Sequence, residues 1–405
     1  MKQIKTKEWT KISYQELGLN QEQAKKFQRF LADKNLSHAI DFQLDGISTC
    51  AHVGIIRFAD FQLNILPKII GEEDSVCLEN LMFMLRYTNE LEIHPLETAK
   101  ITSTRQPFLE ILITHYANIL LNALSRHIPH KYETFEDNLS TIKGKICFPQ
   151  HFKQNAANSA KIYCQFDEFT PNNLLNQTLL FVTHALYTLT QIQGTRHKLA
   201  TIKAIYEDVD LRVVSYNQTK KIILNRNQTI FKDPLALARL FLQHSSISLH
   251  NYTFSNLAIL FDMNKLFEEF VATALTKVFP GQVVAQREQT IVENIGGFPN
   301  TKYTIRPDIL FREDTIIDTK YKILNLPENK PSEADIYQML AYARFYKRPN
   351  VILCYPTFRQ NYPKTVILKD QAIYLNLITL NIHQKLSEQG IQNIFTIFSY
   401  PYLLS

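Results

Sequence analysis

The chain has 405 residues, of which 45% are hydrophobic and 20% charged, the composition of an ordinary globular protein long enough for two or three domains. Its net charge of +6 permits a polyanionic partner without demanding one. Five scattered cysteines without C-x-x-C spacing suggest neither a disulfide framework nor a zinc or iron–sulfur site, the absence of GxxxxGK[ST] excludes a P-loop, and no apolar window is long enough to span a membrane.

The N-terminal stretch MKQIKTKEWTKISYQEL lacks the apolar core of a signal peptide, so a cytoplasmic protein is expected. Residues 1–70 combine a helix over Gln21–Leu31 with strand-like runs at His38–Leu44, Thr49–Phe58 and Gln62–Ile69, punctuated by Gly46, Gly54 and Pro67, which predicts a small β-rich module. From residue 74 the apolar period becomes helical, in CLENLMFMLRYTNEL and again in PFLEILITHYANILLNALSRHI. Next comes a basic hairpin expected about Gly144, a strand over Lys161–Phe166 and a helix opening near Pro171-Asn172. Lys143, Lys145, His151 and Lys153 cluster in this region, either as a solvated face or as a contact to phosphate or a partner. Further helices fill the stretch to residue 243. The polar interval HSSISLHNYT marks the expected boundary between an N-terminal α+β region, 1–250, and a C-terminal α/β domain, 251–405.

In the C-terminal domain the expected order is helix (SNLAILFDMNKLFEEFVATALTKVF), three strands, helix (SEADIYQMLAYARFYK), strand (VILCYP), forming a mixed sheet. The second and third strands form a hairpin over YTIRPDILFREDTIIDTKYK. With the turn centred on Glu313, Asp308 and Asp318 are symmetric about it and stand opposite each other; Lys320 shares their face, because side chains two apart on a strand point the same way. Two hard carboxylates suit Mg²⁺, which takes one or two of them and leaves room for a substrate phosphate, and the adjacent ammonium can stabilise charge on that phosphate. A surface salt bridge is the plain alternative for such a triplet taken alone. Gln338 and Tyr342, four apart, share one face of the second helix, and Ser332 with Asp335 forms its expected capping box.

Arg306-Pro307-Asp308, IIDTKYK and the QMLAY helix in this order resemble the PD-(D/E)xK nuclease core, in its RecB-like branch with a Q-x-x-x-Y helix. FDMNKLFEEFV, DIYQMLAYARFY and CYP, with the upstream ILPKI, GKICFPQH and FTPNNLLNQTLL, are similar to the McrC family, the nuclease subunits of McrBC-type modification-dependent restriction systems. The resemblance implies that Asp308 and Asp318 ligate Mg²⁺, that Lys320 is the catalytic lysine, that Glu268 or its neighbour Glu269 is the active-site helix carboxylate, and that Gln338 and Tyr342 support the site or touch the DNA backbone. It also implies a partner, a hexameric McrB-like AAA+ GTPase that binds GTP, recognises methylated double-stranded DNA and is stimulated by the N-terminal region of this chain. Two other readings stay open at this point: a non-catalytic activator of an AAA+ ring, and a free-standing RecB-like exonuclease of DNA repair.

Overall fold

The computed structural model describes residues 1–68, 74–88, 107–156, 160–286, 288–293, 302–322, 330–357, 364–367, 373–382 and 386–399. It is mixed α/β with several sheets, and its residues group into two compact units, Met1–Phe108 together with Ala258–Ser405, and Leu109–Leu257. This grouping differs from a linear division at residue 250. The N-terminal β-rich module belongs with the C-terminal part because both contribute strands to one sheet.

In the first unit, strands β1 (Lys2–Lys7), β2 (His52–Phe58), β3 (Phe61–Leu66) and the Ala258–Asp262 part of β4 (Thr253–Asp262) lie in the order β1-β3-β2-β4. β1 runs parallel to β3, and β2 and β3 form a tight antiparallel hairpin closed by the Phe58↔Phe61 pair. The helix Gln21–Asp33, started by an Asn20–Gln23 capping box, sets Phe27 against Phe58 and Phe61 at ring distances of 5.1 and 5.5 Å. Full burial of that one ring contributes about 1.5–3 kcal/mol. Gly54, expected as a breaker, instead lies inside β2 with φ +136, and a Cβ there would come 2.1 Å from the Ile259 carbonyl oxygen of β4.

Asp262 caps α1 (Met263–Val278) by accepting from the Asn264 N–H. The helix expected from Ser255 therefore begins only at Met263. The first eight residues of the expected helix, Ser255–Asp262, belong to β4, whose apolar run Leu257–Phe261 is buried throughout and so carries no periodicity to tell strand from helix. Next come β5 (Val283–Ala285), β6 (Gln289–Glu293), β7 (Lys302–Ile305), β8 (Ile309–Phe311), β9 (Thr315–Thr319), α2 (Glu333–Tyr346), β10 (Asn350–Thr357), β11 (Lys364–Ile367), β12 (Tyr374–Asn381) and α3 (Glu388–Phe395). The six-stranded sheet has the order β5-β8-β9-β10-β12-β11, parallel at β9–β10 and β10–β12 and antiparallel elsewhere. Two of the three expected strands are each broken in two. β5 and β6 are separated at Gln286, and β7 and β8 at Arg306-Pro307, where proline has no N–H to continue a ladder; β6 and β7 pair as a separate ribbon. β11, β12 and α3 lie beyond the last element expected from the sequence, the strand VILCYP. Leu310, Ile316, Val351 and Leu353 face Met339, Tyr342 and Ala343 of α2, which forms one core. On the opposite face Phe311 meets Phe279 at 5.2 Å, and Phe395 of α3 meets Phe270 of α1 at 6.2 Å.

In the second unit, Lys131–Leu139 pairs along nine residues with Ile162–Thr170, while Lys145–Ile146 adds only two. The basic hairpin expected about Gly144 is thus not the pairing that forms: Gly144, with φ +68, turns the chain where a Cβ would sit 2.4 Å from the Gln165 carbonyl. A helix, Phe148–Asn155, unexpected from the sequence, follows. Lys143 of the basic cluster pairs with Glu168 and lies over the Phe166 ring.

The Gly54→Ala variant is expected to lose about 1–3 kcal/mol of stability through the clash with the β4 backbone and the forced positive φ; urea denaturation checks it, and an unchanged midpoint would mean that β2 and β4 separate at no cost.

Candidate active site

The β8–β9 register, Ile309↔Ile317, Leu310↔Ile316 and Phe311↔Thr315, is symmetric about residue 313, as the sequence predicts. Asp308 lies one residue before the ladder. Its Oδ2 accepts from the Thr319 N–H at 2.7 Å and from Thr319 Oγ1 at 2.8 Å. Asp308 shares the parity of Leu310, and Asp318 and Lys320 that of Ile316, so all three lie on the sheet face that α2 covers. Asp318 is 2% exposed. Its buried Oδ2 sits 2.7 Å from Lys320 Nζ in an ion pair. The backbone N–H of Lys320 donates to the Cys354 carbonyl and ties the triplet to β10.

Capping fixes α2, because the Ser332–Asp335 box forms as the sequence predicts. From that helix a continuous relay runs back to the strand: Lys320 Nζ donates to Gln338 Oε1 at 2.9 Å, Gln338 Nε2 donates to Tyr342 Oη at 2.8 Å, and Tyr342 Oη donates to the Arg306 carbonyl at 3.0 Å. The ammonium partner fixes which end of the Gln338 amide accepts. Gln338 and Tyr342 therefore hold the lysine at one end and the Arg306-Pro307-Asp308 bend at the other. On α1, Glu268 lines the same cavity and accepts from Gln286 Nε2 at 2.8 Å, whereas Glu269 is not among the lining residues. The cavity, about 360 Å³, is also lined by Asn264, Arg306, Thr319 and Lys322.

Charge is poorly balanced here. Burial pushes the Asp318 carboxyl up to about 7, and the neighbouring Asp308 adds to the shift while Lys320 offsets part of it. Burial also raises Asp308, against the two Thr319 hydrogen bonds, and raises Glu268, helped by Asp308. Lys320 is raised despite burial, because Asp318, Asp335 and Asp308 all favour its ammonium. Among the described residues, no three His, Cys, Asp or Glu side chains form a ready-made metal cage. The donor set fits Mg²⁺ nonetheless: two hard carboxylates, one with a buried oxygen whose nearest cation is Lys320, in a polar cavity open to water.

Several contributors had little or no signal in the sequence. Asp335, read only as a cap, also pairs with Lys322 at 2.5 Å and lies 3.9 Å from Lys320. Thr319 is the unremarked middle residue of the D-x-K triplet. Glu8, at the end of β1, is fully buried; its Oε1 accepts from Tyr321 Oη and from the Lys68 N–H, both at 2.8 Å, and the Tyr321 ring packs against Phe267 beside Glu268. Nothing in the sequence ties residue 8 to residue 321.

Comparison with known proteins then gives the family. The model of the McrBC 5-methylcytosine restriction system component matches residues 47–356, most of the chain. The chain belongs to that family. Its fold is similar to a chain of the refined half-complex from a tetradecameric assembly of Thermococcus gammatolerans McrB AAA+ hexamers with bound McrC, with a TM-score of 0.76 and 16% identity, covering 98% of this chain and 100% of that one. A second similar chain, from the cryo-EM structure of the Thermococcus gammatolerans McrBC complex, has a TM-score of 0.54 and 17% identity over 68% of this chain and 88% of that one. No functionally curated protein matches the sequence significantly. Among the described residues no helix is long and apolar enough to cross a membrane.

Burial raises the Glu8 carboxyl from the ordinary 4.5 to about 7. The folded state therefore keeps a proton that the unfolded chain has lost, so stability falls as pH rises from about 4.5 to about 7 and levels off above. Glu8→Gln is expected to flatten that part of the stability–pH curve, measured by thermal melts in EDTA; an unaltered slope would show Glu8 ionised in the fold.

Proposed function

We propose that this protein is a Mg²⁺-dependent DNA endonuclease with a PD-(D/E)xK core, acting as the cutting subunit of a McrBC-like complex in the cytoplasm. The observation that carries the reading is the pair of buried carboxylates, Asp308 and Asp318, both raised by burial, on one sheet face with Lys320 beside them. Asp308 and Asp318 would hold Mg²⁺, which when bound supplies Lewis-acid stabilisation of the phosphate and a more acidic water. Lys320 provides a fixed ammonium at the position where negative charge grows on the attacked phosphate, and Gln338 keeps it there. Tyr342 holds the Arg306-Pro307-Asp308 bend, so Asp308 stays opposite Asp318 when a substrate enters. Arg306 and Lys322, at the rim, supply the positive charge that a DNA backbone needs on approach.

A nucleotide-hydrolysing partner supports the same reading. The similar chain comes from McrB AAA+ hexamers with bound McrC, and this chain has no P-loop of its own, so GTP would be bound by a McrB-like hexamer that also selects methylated double-stranded DNA. The second unit exposes Tyr132, Phe148, Phe152 and Phe169, large apolar side chains of the kind that mark a protein interface, and would supply the docking surface that stimulates GTP hydrolysis.

Two outcomes are expected when plasmid cleavage and partner GTPase are measured in the same preparation. Asp318→Ala abolishes cutting and Lys320→Ala lowers it by about 10²–10³-fold, both with stimulation of GTP hydrolysis intact; full cutting by either variant would refute the assignment. The double variant Phe148→Ser/Phe152→Ser weakens capture of the hexamer by about tenfold, the effect of losing 1.4 kcal/mol at an interface, while its response to Mg²⁺ in thermal melts stays that of the wild type.

A further inference from the structure

We propose that Gln286 is a positioning residue, which locks the carboxylate of Glu268 to the main chain of Asp308 and so sets their spacing for the divalent cation. The inference rests on the metal-dependent reading above.

β5 and β8 pair in the register Val283↔Phe311, Val284↔Leu310 and Ala285↔Ile309. The next pair in that register is Gln286 with Asp308, and the Gln286 N–H donates to the Asp308 carbonyl at 2.8 Å. At this pair β5 stops, and Gln286 takes φ +51, a left-handed conformation that is strained for a side chain with a Cβ and that glycine would adopt freely. A glutamine stands there instead, and its Nε2 donates to Glu268 Oε1 at 2.8 Å.

One residue thus joins two elements that bring charge to the cavity from different directions, the bend before β8 and the flank of α1. Asp308 and Glu268 repel each other, and each is raised in part by burial. An amide clamped between them sets the distance that repulsion would otherwise widen. It also occupies Glu268 Oε1 and leaves the other oxygen for a water or the cation. Amide partners of this sort orient the ligands of metal sites, and their removal lowers metal affinity about 10–100-fold. A simple end of strand would use the left-handed turn without needing the amide. That difference separates the two explanations.

The test uses the full chain without DNA, titrated with Mg²⁺ alone and followed by the rise in Tm and by calorimetry, then repeats the series as steady-state cleavage with the GTPase partner. Gln286→Ala removes the amide and keeps the strained Cβ; Gln286→Gly removes both. Both variants are expected to bind Mg²⁺ about tenfold or more weakly than the wild type, with kcat reduced and KM for DNA unchanged, while Gln286→Gly melts at or above Gln286→Ala. Undiminished Mg²⁺ affinity in Gln286→Gly, with a wild type that responds and an Asp308→Ala control that does not, would overturn the proposal and leave Gln286 as a strand terminator. A wild type whose Tm does not rise with Mg²⁺ would overturn the metal-dependent reading and this inference with it.

Discussion

Asp308 and Asp318 are set opposite each other by the β8–β9 register, and their mutual repulsion in a buried site is the constraint on which the surrounding structure depends. Two carboxylates so placed would separate or stay protonated unless neighbours held them. Thr319 binds one of them twice, and Lys320 pairs with the other. The lysine is itself held by Gln338, and Tyr342 closes the loop to the Arg306 carbonyl two residues from Asp308. Each contact is modest, about 1 kcal/mol net for a neutral hydrogen bond and more for a charged one. Together they make the charge pair a rigid feature.

The supports come from three directions, which explains the interleaved arrangement of the chain. α2 reaches the face that carries the triplet. α1 and β5 bring Glu268 and Gln286 to its edge. Tyr321, pointing to the opposite face from Lys320, meets Phe267 and the buried Glu8 just after β1, so the N-terminal module lies directly behind the strand that carries the site. A sheet shared between residues 2–66 and 258–262 gives that module a firm base, with Gly54 allowing β2 and β4 to approach.

The heart of the site was legible because its signals are local. A charged turn between two β-forming runs fixes its own register, period two assigns Asp308, Asp318 and Lys320 to one face, and four-residue spacing puts Gln338 and Tyr342 on one side of a capped helix. What escaped detection depends on tertiary structure. Leu257–Phe261 is apolar on both faces, so its strand looked like the start of α1; β1 is an edge strand dressed in lysines and shows no apolar pattern. Gln286 meets Asp308 only through the pairing of two strands more than twenty residues apart, and Asp335 satisfied a local capping rule that hid its contacts with Lys320 and Lys322. Pro307 announced a break that strand-length runs on either side concealed. At 16% identity to a chain of the Thermococcus gammatolerans assembly, the retained overall fold shows how few positions such an architecture specifies.

Crystals of the full chain grown with Mn²⁺ as a stand-in for Mg²⁺, measured at the manganese absorption edge, test the central claim most directly. An anomalous peak between the carboxylates of Asp308 and Asp318, lost on competition with Mg²⁺ and absent from Asp318→Asn crystals, is the predicted result. Empty density there, with Lys320 still paired to Asp318 and manganese bound elsewhere or nowhere, would contradict it.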